Sequence, residues 1–217
     1  LEVAAILDPF GNAVHALTRV DVRGARVAIF GCGPVGLFSI LLARNFGAAK
    51  IIVADISPAN LEMAKALGAH ETILIEKSEK AHSYESDAHV IARIMEITHG
   101  RGADVSMEMA GPFSSVNNSL EATRRGGHVI FFGIKDGDLV VNNFSRVVVR
   151  GLTIHNIIGR EIMKTWQISQ RVLQNKANGV QEDIWNIILK KGQGTVLPFQ
   201  DFEPTNFEHA MNEHPKL

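Results

Sequence analysis

Three glycines and one acidic residue form the pattern in this chain that is most typical of a defined chemistry. Gly31, Gly33 and Gly36 follow one apolar run, and Asp55 follows the next. In such a pattern the first glycine allows a tight turn, the second lets backbone N–H groups approach a phosphate, and the third allows a helix to pack closely on a strand. The helix that begins there directs the positive end of its dipole towards the phosphates. The spacing therefore predicts a site for a dinucleotide with a pyrophosphate group.

Asp55 indicates which dinucleotide the site prefers. A carboxylate at this point accepts hydrogen bonds from ribose hydroxyl groups and repels a 2′-phosphate, so the sequence favours NAD over NADP. Glycine triplets also occur in turns that serve packing alone, and the sequence leaves this alternative open.

The elements around this pattern alternate between apolar strands and helices. Glycines follow several predicted helices, and Ser57 with Pro58 offers one helix a cap and a first-turn proline. This order predicts an α/β fold, a doubly wound parallel sheet (Rossmann fold) with right-handed crossovers. The predicted strands are 25–30, 50–54, 72–75, 104–109, 127–132 and 152–158, the predicted helices are 34–46, 58–67, 86–98, 114–124, 160–175 and 181–191, and a last strand and helix are predicted at 196–199 and 206–212.

The bulk composition limits the classes of protein to consider. The chain has 217 residues, of which 46% are hydrophobic and 21% charged, and its net charge is −1. These values are ordinary for a globular domain and provide no field for nucleic acid or an anionic membrane. No apolar run reaches the length of a bilayer span, and the single cysteine excludes an internal disulfide framework and a four-cysteine zinc site. We expect a cytoplasmic enzyme or cofactor-binding domain without nucleic-acid or membrane partners.

The two ends of the sequence differ from the repeating pattern between them. The chain begins at Leu1 in a helix-like pattern and stops directly after another helix-like run. We expect a helical lead-in at 1–20, the dinucleotide-binding domain at 21–176, and C-terminal helices with a short strand at 177–217. On this expectation both ends are remnants of a second domain, and the chain is a segment of a longer polypeptide.

Four other features each allow two interpretations. Asp8, which precedes a proline, could cap a helix or act chemically. His15 fits a buried, hydrogen-bonded side chain better than a metal ligand, because no second histidine has paired spacing. Cys32 could be a thiol activated by a helix N-terminus or a small residue facing the core. The pair 160–161 could hold a substrate or a neighbouring subunit, or could form the charged first turn of a helix.

Several stretches carry more specific information than periodicity: Asp8-Pro9-Phe10-Gly11-Asn12-Ala13-Val14-His15, Gly31-Cys32-Gly33-Pro34-Val35-Gly36, Ala64-Lys65-Ala66-Leu67-Gly68-Ala69, Glu108-Met109-Ala110-Gly111, Gly126-Gly127-His128-Val129, Phe132-Gly133-Ile134 and Gly159-Arg160-Glu161-Ile162-Met163-Lys164-Thr165-Trp166. Together they resemble the zinc-type medium-chain dehydrogenases. The glycine pattern and the stretch 64–69 are shared by that whole superfamily. The first and last stretches resemble the L-threonine 3-dehydrogenases most closely. The resemblance covers nearly the whole chain and weakens after residue 176.

The resemblance implies roles for individual residues. It implies that Val35 covers the pyrophosphate, that Asp55 binds the adenosine ribose, and that the stretches 132–134 and 157–158 line the nicotinamide side. Asn60 replaces an arginine that the family usually has near the adenosine, and the loss of this cation argues further against NADP. The implied cofactor-binding residues are Gly31, Gly33, Pro34, Val35, Gly36, Asp55, Asn60, Phe132, Gly133, Ile134, Ile157 and Ile158. The implied catalytic residue is Asp8, which matches an acid that assists proton relay near the zinc without binding it.

The resemblance also implies a zinc-dependent oxidoreductase. In that family a separate catalytic domain precedes this segment and supplies the zinc ligands, so zinc is expected only in the intact enzyme. That enzyme would oxidise L-threonine to 2-amino-3-oxobutanoate with NAD, whereas this chain alone would hold no stoichiometric zinc and show no turnover. Two alternatives remain, namely the cofactor domain of another alcohol or polyol dehydrogenase and a non-catalytic module for NAD binding or oligomerisation.

The apolar strand predicted at 152–158 comes last in the sheet and is therefore expected at its edge. An exposed edge of that composition favours pairing with a second copy of the chain. In related dehydrogenases such edges join two subunits about a two-fold axis. We expect a homo-oligomer, either a dimer or a tetramer. Apart from its own copies, the expected partner of the chain is a small-molecule substrate.

Overall fold

The computed structural model of this chain describes residues 2–76, 82–134, 136–193, 195–196, 203–205 and 207–208. Within these ranges, the strands are β1 (Arg26–Phe30), β2 (Lys50–Asp55), β3 (Glu71–Leu74), β4 (Ala103–Glu108), β5 (Thr123–Phe131) and β6 (Thr153–Asn156). The α-helices are α1 (Leu7–Leu17), α2 (Pro34–Asn45), α3 (Pro58–Ala66), α4 (Ala88–Ile97), α5 (Phe113–Ala122), α6 (Phe144–Arg150), α7 (Ile162–Gln174) and α8 (Val180–Asp183). A short 3₁₀ helix, Glu2–Ile6, precedes α1.

The strands form one sheet in the order β3-β2-β1-β4-β5-β6, and every neighbouring pair is parallel. The chain adds β2 and β3 on one side of β1 and then returns to add β4, β5 and β6 on the other. The direction of winding therefore changes between β1 and β4. In open α/β sheets a ligand binds in the crevice beyond the carboxyl ends of the strands at this point. The predicted doubly wound Rossmann fold is confirmed.

The central strand β1 is buried on both faces. Val27 and Ile29 belong to an apolar cluster with α1, α2 and α7, whereas Ala28 and Phe30 belong to a second cluster with α4. Because side chains alternate along a strand, these two clusters lie on opposite faces of the sheet. Helices on both faces explain why the strands read as continuous apolar runs.

Helix α1 belongs to the core of the fold. The ring of Phe10 meets the ring of Phe38 in α2 edge to face, with centroids 5.6 Å apart. Both side chains are fully buried in the cluster that also contains Val172 of α7. The division of the chain at residues 20 and 176 stays a prediction, but α1 packs directly on the helices of the dinucleotide-binding segment.

The predicted boundary between α5 and β5 is wrong. Thr123 was expected in the helix, yet it pairs with Ala103 in the sheet, and its hydroxyl lies 2.7 Å from that of Ser106. The strand predicted at 127–132 begins earlier, at Thr123, so Gly126 and Gly127 both lie inside β5, where the register with β4 shifts. A cross-strand hydrogen bond between two buried hydroxyl groups therefore sets the boundary.

Helix α6 was not predicted from the sequence. Its run of valines disfavours a helix by intrinsic propensity. Tertiary contacts compensate, because Arg150 at its end donates to the carbonyl oxygen of Glu121 at 2.8 Å. Gly151 then ends the helix in the left-handed region, at φ +61°.

Towards the C-terminus, α7 and β6 confirm the predicted helix at 160–175 and strand at 152–158 with shorter bounds. The helix predicted at 181–191 is shorter as an α-helix, because α8 widens into a π-helical turn at Ile184–Ile188. The strand predicted at 196–199 and the helix predicted at 206–212 lie largely outside the described residues. None of the helices in the described ranges has the length and apolar character needed to cross a bilayer.

Candidate dinucleotide-binding site

The turn between β1 and α2 requires two of its three glycines. Gly31 has φ +99°, and a Cβ there would stand 2.8 Å from the Cβ of Ala110. A Cβ on Gly36 would overlap the carbonyl oxygen of Gly31. The first glycine therefore allows the turn and the approach of the loop after β4, and the third allows α2 to start against β1.

Gly33 differs from both, because the fold does not require a glycine there. Its φ of −64° suits any residue, and a Cβ would meet no atom of the described chain within 4 Å. It is the N-cap of α2, with Pro34 at the first helical position and Val35 next. The first N–H groups of a helix lack partners within the helix and favour an anion. The open space in front of Gly33 therefore fits a pyrophosphate at the start of α2.

Asp55 ends β2 beside this turn and is 8% exposed. One carboxylate oxygen accepts from the backbone N–H of Cys32 at 2.5 Å, and the other accepts from the backbone N–H of Ser57 at 2.7 Å. These bonds fix the carboxylate between the glycine turn and the start of α3. An ionised carboxylate has about four acceptor positions, so it can also accept from the two hydroxyl groups of a ribose.

Asn60 lies in the first turn of α3, where the backbone N–H of Asn60 donates to the hydroxyl of Ser57 at 3.3 Å. Ser57 is thus the N-cap that the sequence predicted. Asn60 is half-buried and follows Asp55 closely in the chain. Its neutral amide supplies no positive charge near the end of β2, and a positive charge is what a 2′-phosphate would need.

A cleft of about 450 Å³ opens between the ends of β2 and β4. Sequence reasoning identified only Gly31 and Asp55 among its walls. It missed a buried polar pair, in which Asp87 and Asn118 exchange two hydrogen bonds of 2.6 and 2.8 Å. The signal was present, because the pair of asparagines at 117–118 interrupts the apolar face of α5. The lining residues are Gly31, Ala54, Asp55, Ile56, Ile75, Glu76, Asp87, Ala110, Pro112, Ser114, Ser115 and Asn118.

The predicted nicotinamide wall is divided between exposed and buried positions. Phe132, Gly133 and Ile134 follow β5, and a Cβ on Gly111 would stand 2.9 Å from the carbonyl oxygen of Ile134. Ile134 and Ile158 are 76% and 79% exposed, whereas Ile157 is 7% exposed and belongs to the core. Any contact of a cofactor with Ile157 would therefore involve its main chain.

Burial decides between the two interpretations that the sequence allowed for Cys32, and it does the same for His15. Burial, with a smaller contribution from the Asp55 carboxylate, raises the pKa of the Cys32 thiol far above its usual range. The hypothesis of an activated thiol is wrong, and Cys32 is a small residue of the core.

His15 is buried, and its Nδ1 lies 2.9 Å from the carbonyl oxygen of Gly159. The prediction of a buried, hydrogen-bonded histidine is confirmed.

Asp8 lies away from the glycine turn, in a separate cleft of about 720 Å³ that is lined by α1, α7 and the 3₁₀ helix before α1. It pairs with Arg160, which lines the same cleft. The capping interpretation is wrong, because α1 begins one residue earlier and the N-cap position is Ile6. The sequence alone did not indicate that Asp8 and Arg160 meet.

Within the ranges that the structure describes, no group of three or more histidine, cysteine, aspartate and glutamate side chains is placed to hold a metal ion. The donor set of these residues therefore does not fit a catalytic zinc.

Comparison with known families agrees with the geometry of the turn. Residues 34–175, which begin at the first helical position of α2, match the family model described as zinc-binding dehydrogenase. The chain belongs to the zinc-binding dehydrogenase family. The match covers α2, β2 and α3 and leaves out Gly31 and Gly33.

Curated members of this family provide more specific likenesses. The chain is 34% identical over 173 residues to an L-threonine 3-dehydrogenase of Francisella philomiragia, and the match covers 80% of this chain and 48% of the relative. It is 33% identical over 177 residues to an L-threonine 3-dehydrogenase of Legionella pneumophila, covering 82% of this chain and 49% of the relative. The chain thus spans about half the length of the curated relatives it matches.

Solved structures of other family members share the fold. An alcohol dehydrogenase of Thermotoga maritima superposes with a TM-score of 0.70 at 25% identity, covering 89% of this chain and 55% of the other. L-Idonate 5-dehydrogenase of Escherichia coli superposes with a TM-score of 0.66 at 27% identity, covering 82% and 46%. The fold is therefore common to dehydrogenases of different substrates.

Proposed function

We propose that this chain is the NAD-binding domain of a zinc-dependent dehydrogenase. The observation that carries the proposal is Gly33, a glycine that the fold does not need, which leaves space in front of the α2 N-terminus. Packing alone explains the glycines at 31 and 36 but not this one. A ligand whose phosphates approach the backbone explains Gly33 as well.

Different residues of the site bind different parts of the cofactor. The α2 N-terminus binds the pyrophosphate, Asp55 binds the adenosine ribose, and the stretches 132–134 and 157–158 border the nicotinamide. When bound, NAD supplies a nicotinamide carbon that accepts a hydride from an alcohol carbon. The role of this chain is to hold and orient the cofactor.

For the intact enzyme we propose the oxidation of L-threonine at its β-hydroxyl group. The named relatives support this substrate. Asp8 is the proposed proton-relay residue, and its pairing with Arg160 beside a cleft supports a role near substrate. Zinc ligands would have to come from outside the described residues, because these do not fit the metal.

A second candidate is another alcohol or polyol as substrate. The solved neighbours favour it, since they are named for idonate and for alcohols. A non-catalytic NAD-binding module is a third candidate. It would need the same glycine turn, because it would bind the same cofactor. An assay of the intact enzyme with L-threonine, L-idonate and simple alcohols distinguishes the first two.

Cofactor preference tests the proposed site directly. We expect the chain to bind NADH more tightly than NADPH, because the Asp55 carboxylate accepts from the ribose diol and repels a 2′-phosphate. Asp55→Ala should cost about 1–3 kcal/mol of NADH affinity. Calorimetric titration of both cofactors measures the difference.

Asp55→Asn is the matched variant for this prediction. Its amide oxygen still accepts a hydrogen bond but carries no charge, so discrimination against NADPH should fall more than NADH affinity does. Equal affinity of the unmodified chain for the two cofactors would contradict the assignment of Asp55.

The outer edge of β6, which no other strand of the described residues covers, leads to a prediction about association. We propose that two copies pair along β6, because it is the last strand of the sheet and Ile154 is 40% exposed. N–H groups alternate along a strand, and the N–H of Ile157 donates inward to Phe131 at 2.9 Å, so the N–H of Ile154 points outward. Ile154→Pro should therefore split the dimer without disturbing β5, as measured by light scattering.

Ile154→Ala is the control for the loss of side-chain area. It keeps the N–H, so the dimer should persist. A monomeric unmodified chain, or a dimer that survives Ile154→Pro in a folded variant, would rule out pairing along β6.

A further inference from the structure

Glu108 is a buried acidic residue that none of the roles described above uses. It is the last residue of β4, it lies between Phe30 of β1 and Phe131 of β5, and it is 0% exposed. Burial of a carboxylate costs free energy unless hydrogen bonds compensate for it. Its position is the carboxyl edge of the sheet where the winding changes direction.

One carboxylate oxygen of Glu108 holds the turn that follows β4. Oε1 accepts from the backbone N–H of Ala110 at 2.8 Å and of Gly111 at 2.7 Å. The turn is therefore fixed relative to the sheet, and Ala110 is held against Gly31 of the glycine turn.

The other side of Glu108 faces the loop that follows β5. Its main-chain oxygen accepts from the N–H groups of Phe132 at 3.0 Å and Gly133 at 3.2 Å. Oε2 is buried and has no hydrogen-bond partner in the described part of the chain. A Cβ on Gly133 would overlap both Oε2 and the backbone nitrogen of Gly111. The loop after β5 therefore lies directly against the carboxylate and the turn that it holds.

We propose that Glu108 is a positioning residue for the nicotinamide half of the cofactor site. The inference rests on the proposed NAD site. Glu108 sets the spacing between the turn at 109–111 and the loop at 132–134, and that loop borders the nicotinamide. The adenosine half is held by Asp55 and the start of α3, whereas the hydrogen bonds of the Glu108 carboxylate go to Ala110 and Gly111.

Two ligands allow the nicotinamide half and the adenosine half of the site to be tested separately. NADH occupies both, whereas ADP-ribose lacks the nicotinamide. In Glu108→Gln the amide oxygen can still accept from the N–H groups of Ala110 and Gly111, which keeps Ala110 against Gly31. The amide NH2 then replaces Oε2 against the loop at 132–134. We expect the dissociation constant of NADH to rise about tenfold while that of ADP-ribose changes less than about twofold. Calorimetric titration of the chain with each ligand measures both values.

A second variant and a control keep the test independent of stability. Gly133→Ala leaves the Glu108 side chain chemically unchanged, but its Cβ would overlap both Oε2 and the Gly111 backbone. The loop and the turn must then separate, and the variant should produce the same selective loss. Ser106→Ala removes a buried hydrogen bond of the same strand, the one with Thr123, and should change neither affinity. Thermal melting of each variant shows that it is folded.

The outcomes distinguish the inference from the proposed function. If Glu108→Gln and Gly133→Ala weaken NADH and ADP-ribose equally, or weaken neither, Glu108 does not position the nicotinamide half. If the unmodified chain binds neither ligand, the proposed NAD site itself is wrong, and the inference fails with it.

Discussion

Gly33→Ala should abolish most dinucleotide binding while leaving the fold intact. The added Cβ meets no atom of the described chain within 4 Å, and the backbone of Gly33, at φ −64°, suits alanine. The same Cβ would occupy the space through which the pyrophosphate reaches the N–H groups of α2. We expect the dissociation constant of NADH to rise about 100-fold, with a melting temperature within about 2 °C of the unmodified chain.

Gly36→Ala is the contrasting variant. Its Cβ would overlap the carbonyl oxygen of Gly31, so α2 would have to move away from β1. This overpacking should lower the free energy of unfolding by about 1–3 kcal/mol, measured by denaturant titration. If Gly33→Ala bound NADH normally, or if it destabilised the fold as Gly36→Ala does, the pyrophosphate would not lie at the α2 N-terminus.

Asp104→Ala should give the largest loss of stability among the ion pairs of the sheet. Asp104 is at the amino end of β4, where its carboxylate accepts from Arg26 at 2.8 Å and from Arg124 at 2.5 Å. It thereby joins the starts of β1, β4 and β5. Its side chain is 19% exposed, so the variant leaves two partly buried guanidinium groups without their shared partner. We expect a loss of about 2 kcal/mol, or a fall of about 4–8 °C in melting temperature.

The pH dependence of this effect follows from the pKa of Asp104. Burial by itself raises that pKa, but hydrogen bonds from Arg26 and Arg124 outweigh burial and hold it well below the ordinary value of 3.8. A depressed folded pKa adds stability that is fully present above pH 3.8 and is lost as the pH falls further. The difference in melting temperature between the two proteins should therefore be constant near neutral pH and shrink below about pH 4.

Asp21→Ala is the matched control for burial. Asp21 also pairs with an arginine, Arg23, at 2.5 Å, but the two side chains are 59% and 78% exposed. Exposed pairs contribute little, because water already solvates both charges. Its melting temperature should match that of the unmodified chain. A similar loss in both variants would mean that Asp104 does not stabilise the sheet through its buried pairs.

The elements that bind a dinucleotide could be predicted from the sequence because their determinants are local. Gly31, Gly33 and Gly36 meet the demands of one turn, and Asp55 follows the next strand in the chain. Alternation of apolar strands with helices then leaves few topologies, since crossovers between parallel strands are right-handed. For this reason the doubly wound parallel sheet and the positions of most helices agreed with expectation.

Where the sequence was misleading, a distant contact outweighed a local preference. Thr123 joined β5 because its hydroxyl meets Ser106, and the valine-rich α6 formed because Arg150 reaches the end of α5. The interpretation of Cys32 depended in the same way on burial, which raises the thiol pKa and removes its reactivity. None of these contacts leaves a periodic signal in the sequence.

The sequence by itself determined the fold class, the glycine turn and the acid at the end of β2, because each depends on residues within one βαβ unit. Only the tertiary structure decided that Asp8 meets Arg160 and that Glu108 lies between two loops of the site. These pairs join segments far apart in the chain, and their geometry depends on how β4, β5, α1 and α7 pack. The sequence pattern of a segment specifies whether it forms a strand, a turn or a helix. Packing specifies which side chains of distant segments face each other.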